Sequence, residues 1–424
     1  VQAKTYHPSD HEISFHLIDP DAITVIERLR QAGHEAYLVG GGVRDLLAKK
    51  TPKDFDISTS ALPEEIKTVF GRQCLLIGRR FRLAHIRFGR KIIEVATFRA
   101  GENSDELITR DNVWGSAEED VMRRDFTING LFYDPSNHTV IDYVGGWGDI
   151  QKGILRSIGD PNVRFKQDPV RMIRLLKFRA RFGYDIAEAC KNALLRCKSE
   201  LTKSSPARIL EELLRMLESG YCARFIYLMS DSGIFKLLFP ELDHYLRGKH
   251  GDAIFQYLES ADILNRKSLD RSLNRSVLVS CLLFPILEEQ IQSHYIQEQK
   301  RPTLGDIIIM TSSIIKQFVT TSFSHFPRRM SATVSYILST QYRLTPISGK
   351  RHLRHKSLYN HDFPFALQFL KLRSLIDPEL AEDYNNWKRA FRQTQQARGG
   401  HTPHPPPKKS TRGRKRHDHR KPKH

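Results

Sequence analysis

A glycine triplet between two different kinds of apolar pattern constrains this chain more than any other feature. In EAYLVGGGVRDLL, residues 35–47, Gly40, Gly41 and Gly42 stand where a strand signal stops and a helical one begins. Such a turn lets backbone N–H groups come close to a phosphate, and the start of the following helix favours negative charge. Arg44 adds a guanidinium whose planar fork matches phosphate oxygens. Glycine also serves ordinary tight turns, so the triplet is weak evidence alone.

The next segment sharpens the reading. PKDFDISTS, residues 52–60, has strand character. Alternation puts Asp54, Asp56 and Ser58 on one face and Phe55, Ile57 and Thr59 on the other. Two carboxylates sharing a face repel each other and form strands poorly. A divalent cation would compensate; the plain alternative is a solvated pair. A phosphate cradle followed by a carboxylate pair supplies the parts of a two-metal phosphoryl-transfer site. Glu94 in KIIEVATFR is the candidate third carboxylate. It lies among Ile92, Ile93, Val95 and Ala96, where a charge is costly unless paired or metal-bound. Its plain alternative is an exposed edge-strand glutamate.

Around these motifs the pattern predicts a helix over 21–33 closed by Gly33, a helix at LPEEIKTVF, and a hairpin of RLAHIRFG and KIIEVATFR about Gly89. Residues 17–145 therefore read as a mixed α/β unit. After Gly153 helical periodicity takes over to about residue 395. DPVRMIRLLKFRARF and SPARILEELLRMLESG each open with a polar cap followed by proline. VLVSCLLFPIL (277–287) is too short to span a membrane and reads as a buried helix. Residues 396–424 are dense in Pro, His, Lys and Arg and nearly free of apolar residues, which predicts a disordered basic tail.

The chain has 424 residues and a formal net charge of +19, which points to a polyanion such as nucleic acid. Five dispersed cysteines argue against a disulfide framework. With a polar opening segment and no apolar leader, the expectation is a cytoplasmic protein.

The set LVGGGVRDLL…KDFDIST resembles the signature of the DNA polymerase β-like nucleotidyltransferases. More narrowly it resembles the class II group, which holds bacterial poly(A) polymerases and CCA-adding enzymes. RRDFTINGLFYD (123–134), DYVGGWGDIQKGILR (142–156) and QDPVRMIRLLKFRARFG (167–183) match further motifs of that group in order. LIGRRFRLAHIRFGRKIIEVATFR (76–99) is similar to the poly(A) polymerase form rather than the shorter CCA-adding form.

The resemblance implies an α+β protein: a nucleotidyltransferase head (17–145), a helical neck reading the base and binding RNA (146–245), a helical RNA-binding body (246–395) and the basic tail (396–424). It implies that Asp54, Asp56 and Glu94 hold two Mg2+ ions, with Mn2+ a substitute. Gly40, Gly41 and Arg44 would hold the triphosphate. Arg123, Arg124, Asp125 and Asn129 would grip phosphates and ribose. Asp168 and Arg171 would hydrogen-bond the base in place of a template, with Arg208 lining the same pocket. Asp168 precedes Pro169, so a simple helix cap is the alternative. The chain departs from the family at Gln167, where a glutamate that would buttress Arg171 is usual. The implied activity is template-independent transfer of AMP from ATP to RNA 3′ ends, by a monomer linked to RNA degradation machinery. The rivals are a CCA-adding enzyme and a non-catalytic RNA-binding protein on the same scaffold.

Overall fold

The computed structural model describes residues 2–78, 83–100, 113–267, 272–320, 323, 326–347 and 355–399. Most of the tail, and the arginines at 79, 80 and 82, lie outside them.

The head is a single eight-stranded sheet. Its strands are β1 (Lys4–Tyr6), β2 (Ala36–Val39), β3 (Asp56–Thr59), β4 (Cys74–Ile77), β5 (Leu83–Phe88), β6 (Lys91–Thr97), β7 (Leu131–Asp134) and β8 (Thr139–Asp142). Their order is β1-β8-β7-β2-β3-β6-β5-β4. The pairing is antiparallel except between β3 and β6. The hairpin about Gly89 forms as expected, with Gly89 at φ 60°. β1 lies before residue 17, so the sheet reaches further toward the N-terminus than the expected head.

Helices α1 (Pro20–Gln31), α2 (Gly41–Leu47), α3 (Pro63–Phe70) and α4 (Ala117–Met122) pack with the sheet, and α5 (Gly146–Lys152) follows its last strand. On α1, Asp19 accepts from the N–H of Asp21 at 2.9 Å and Pro20 occupies the first turn, which fixes the start. Alternation in β6 buries Ile93 and Val95 and leaves Ile92 and Glu94 exposed. One face of the sheet is thus a core, and the other is open at Glu94.

The stretch expected as the neck carries α6 (Pro161–Gln167), α7 (Val170–Phe182), α8 (Glu188–Cys197), α9 (Pro206–Leu217), α10 (Cys222–Asp231), α11 (Ile234–Leu238) and α12 (Pro240–Leu246). The stretch expected as the body carries α13 (Gly251–Lys267), α14 (Arg275–Ile291), α15 (Leu304–Ile315), α16 (Arg328–Leu344), α17 (Phe363–Ile376) and α18 (Ala381–Gly399), the last running four residues into the expected tail. The run VLVSCLLFPIL is entirely buried within α14. One apolar core continues from head to body through Ile57, Phe126, Phe178, Phe225 and Leu283. Phe126 meets Phe178 edge to face at 5.7 Å, joining the head to α7.

Among the described residues no helix is long and apolar enough to cross a membrane.

Candidate active site

The glycine turn is shaped by two separate demands. Gly40 has φ 65° and ψ −127°, a conformation that suits glycine. A Cβ on Gly42 would lie 3.2 Å from the carbonyl oxygen of Asp54 and 3.2 Å from the Phe55 ring. The bare Gly42 backbone therefore lets the aspartate loop pack against the turn. Gly42→Ala should push that loop by a few tenths of an ångström. The expected result is a roughly tenfold to hundredfold lower kcat with little change in melting temperature, because misplaced reacting groups are costly.

The two aspartates are not both in the strand. β3 begins at Asp56, and Asp54 lies in the loop before it. The expectation of a shared strand face is corrected accordingly: Lys53, Asp54 and Phe55 lie outside the ladder, and Asp54 and Phe55 pack against Gly42. The carboxylates are nevertheless neighbours. Asp56 pairs with Glu94 across the parallel β3–β6 step, and Glu94 pairs with His85 on β5. His85 Nε2 lies 3.5 Å from Glu94 Oε1. Asp56 is solvent-accessible but sits in a recess with protein on most sides. Burial, then the charges of Glu94 and Asp54, push its pKa up to about 6, with Arg124 opposing.

Arg44 departs from the open phosphate fork expected of it. It is only 4% exposed. It donates to Asp45 at 2.7 and 2.9 Å and to Asn129 Oδ1 at 2.6 Å. Its guanidinium also stacks on Phe178 and Phe182 of α7. Arg181 reaches the other oxygen of Asp45 at 2.7 Å. Arg44 thus braces the turn against the neck.

The RRDFTIN segment is tied into the same lattice. Arg124 donates to Asp120 at 2.7 Å and to Ser58 at 3.2 Å, beside the carboxylates. Asp125 accepts from Asn129 Nδ2 at 2.9 Å and faces Arg174 at 3.9 Å. Burial raises its pKa, but Arg174, Asn129 and Arg171 outweigh that and hold it below the usual value. Arg174 in turn meets buried Glu212 at 2.8 Å. The Arg123 carbonyl accepts from Arg171 Nη2 at 2.9 Å, and the Arg124 carbonyl accepts from Arg164 Nη2 at 2.9 Å.

At the QDPVR turn, the helix-cap alternative for Asp168 fails. Pro169 holds the cap position of α7, and no side chain caps that helix. Asp168 Oδ2 accepts from Arg208 at 3.0 Å and lies 3.9 Å from Arg171 Nε. Its Oδ1 is buried without a hydrogen-bond partner, as are Nε of Arg171, Arg124 and Arg164. Gln167 is buried and accepts from Arg164 Nη1 at 3.0 Å, so the amide engages Arg164.

Motif spacing alone does not reveal several of these residues: Arg164, Arg174, Glu212, Asp120, Asp45 and His85. One signal is present. Arg171, Arg174 and Lys177 recur every three residues on a helix otherwise buried on most of its surface, and such a charged stripe needs partners.

The carboxylates fit a divalent cation. Burial first, and then repulsion from Glu94 and Asp54, raises the proton affinity of Asp56, and a cation would offset both. Among the described residues no three His, Cys, Asp or Glu side chains form a preformed metal cage. Magnesium commonly binds through one or two carboxylates, substrate phosphates and water.

A mixed sheet carrying carboxylates beside a glycine turn, backed by a helical neck with an unsatisfied donor and acceptor, defines a nucleotidyltransferase. Similarity to known proteins narrows the class. Residues 36–156 match the model of the poly A polymerase head domain, and residues 183–246 that of a probable RNA- and SrmB-binding site of polymerase A. Residues 311–422 match the polymerase A arginine-rich C-terminus. Poly(A) polymerase I of Escherichia coli O6:H1 is 38% identical over 385 residues, covering 87% of this chain and 81% of the relative. A CCA-adding enzyme of Geobacillus stearothermophilus is 33% identical over 216 residues, covering 50% of this chain and 53% of the relative. The crystal structure of a Bacillus stearothermophilus CCA-adding enzyme in complex with CTP shares the fold, with TM-score 0.63 and 23% identity over 89% of this chain and 83% of that one. The chain belongs to the poly(A) polymerase I family. It is a polynucleotide adenylyltransferase that binds RNA, takes a nucleotide substrate and uses a divalent metal.

Proposed function

We propose that this protein selects ATP with Asp168 and Arg171 and attaches AMP to RNA 3′ ends at a site built on Asp54, Asp56 and Glu94. The observation that carries this reading is the buried pair of unmatched atoms, Asp168 Oδ1 and Arg171 Nε. The Watson–Crick edge of adenine offers a donor and an acceptor, so one carboxylate oxygen and one guanidinium donor complement it.

Asp54, Asp56 and Glu94 would hold two Mg2+ ions, with Mn2+ able to replace them. Bound there, the ions would lower the pKa of the RNA hydroxyl and offset charge on departing pyrophosphate. Gly40 and Gly41 would present backbone N–H groups to the triphosphate, while Arg44 holds the turn from behind. Arg123 and Arg124 would add positive charge at the phosphates. Asp125 and Asn129, already bonded to each other, would face the ribose. Arg164 and Arg171 fix the carbonyls of this segment, so base and sugar contacts move as one unit.

The division into head, neck, body and tail stands as a proposal, with the strand at Lys4–Tyr6 joined to the head. Residues 398–424 contain ten Lys and Arg and would bind phosphates without reading sequence. Deleting them should weaken RNA binding and flatten its salt dependence, by a slope of about 0.7 for each phosphate that the tail neutralises. Nucleotide choice should not change. An unaltered slope in a filter-binding titration would make the tail a bystander.

The test of the function is addition to a labelled RNA with each nucleoside triphosphate supplied alone.

A further inference from the structure

A recess of about 720 Å3 opens between α10 and α13, away from the nucleotidyl-transfer site. That volume falls in the range of small-ligand pockets. Its walls are fixed by contacts that use up some of the lining groups. Asp262 on α13 accepts from the N–H groups of Cys222 and Ala223 at 2.7 and 3.0 Å, which ties the start of α10 to α13. Arg266 donates to the Gly220 carbonyl at 2.6 Å and covers the Tyr221 ring.

Other lining groups remain uncommitted. Tyr227 is 58% exposed. Arg224, one turn earlier on the same face of α10, makes no hydrogen bond or ion pair among the described residues. Asp252 and Glu259 line the α13 side and are likewise without ion pairs there, with Phe255 between them.

We infer that this recess is a second nucleotide subsite, which holds an unpaired nucleotide of the RNA upstream of its 3′ end. The inference rests on the RNA-extending function proposed above. An exposed tyrosine offers a stacking face to any base. The free guanidinium suits a phosphate. The carboxylates would repel phosphate but can accept from an exocyclic amino group such as that of adenine. The walls are already ordered, so little entropy is lost on binding.

Position supports the same reading. Arg171 stands at the start of α7, and Arg224 Nη1 lies 3.5 Å from where a Cβ on Gly183 would stand at its end. Thirteen helical residues span about 20 Å. At about 3.4 Å per stacked nucleotide, that is roughly six nucleotides. A short RNA held at the transfer site would not reach the recess; a longer one would.

The test compares 5′-fluorescein oligo(A) of four and twelve nucleotides, by anisotropy, on the full chain. Tyr227→Ala and Arg224→Gln should each weaken binding of the longer RNA about tenfold. The four-nucleotide RNA should bind, and accept AMP, as well as with the unaltered protein. Both side chains are exposed, so melting temperatures should hold. Unchanged binding of the twelve-nucleotide RNA in both variants would overturn the inference. So would a recess that binds a Lys/Arg-rich peptide in a Glu259-dependent way while RNA binding stays intact, since that identifies a protein-partner site. Failure of the unaltered protein to extend either RNA with ATP would instead count against the proposed function.

Discussion

Asp56→Ala and Asp54→Ala should each lower nucleotide addition by about a thousandfold or more, because the charge stabilisation a bound metal supplies is worth several kcal/mol. Glu94→Ala should also be severe, since Glu94 stands beside Asp56 in the sheet register. Stability should move in the opposite direction. The pKa of Asp56 rises from an ordinary 3.8 to about 6 on folding, with burial the largest cause. A carboxyl raised in this way costs stability only once it ionises: the penalty is absent below about pH 4, grows between pH 4 and 6, and is complete at pH 7. In metal-free buffer at pH 7, Asp56→Asn should therefore melt at the same or a higher temperature than the unaltered protein. At pH 4 that advantage should disappear. An inactive variant that is also clearly less stable at pH 7 would make Asp56 a structural residue.

The second large effect concerns nucleotide choice. An unmatched buried partner costs about 1–3 kcal/mol, which is roughly tenfold to a hundredfold in discrimination. Arg171→Ala should lower ATP incorporation and narrow the preference for ATP over CTP and UTP. Its other role, holding the Arg123 and Arg124 carbonyls, predicts some loss of ribose and phosphate grip as well, read as a higher KM. Asp168→Ser gives the cleaner test. Asp168 caps no helix with its side chain, and its ion pair with Arg208 is exposed on the arginine side, a kind of pair worth about 0–1 kcal/mol. The variant should stay folded and lose discrimination. Unchanged misincorporation ratios in both variants would move base selection elsewhere, first to Arg164 and Gln167.

Much of the site is legible in the sequence because its parts are local. The glycine turn, β3, the Gly89 hairpin and the QDPVR turn each declare themselves within about a dozen residues through periodicity and turn chemistry. Asp54 falls outside the strand expected of it for a physical reason. Alternation extends a strand through Lys53–Phe55 on paper, but ladder bonds begin only at Asp56, and the loop owes its position to Gly42. The orientation of Arg44 is not legible at all. It is set by Asp45, Asn129, Phe178 and Phe182, and the last three lie far away in sequence. The Arg174–Glu212 and Arg181–Asp45 pairs have the same character: long-range ties that no local spacing encodes. The edge strands β1 and β4 are three and four residues long, too short for alternation to stand out.

Extension of one labelled RNA by the unaltered protein, with ATP, CTP, GTP and UTP supplied singly and then together, tests the central claim most directly. Adenylate addition chosen by the protein itself predicts a long, heterogeneous ladder with ATP alone, little with any other single nucleotide, and the same ladder of A residues when all four are present. A product that stops after two C residues and one A, and only on tRNA ends, would contradict it.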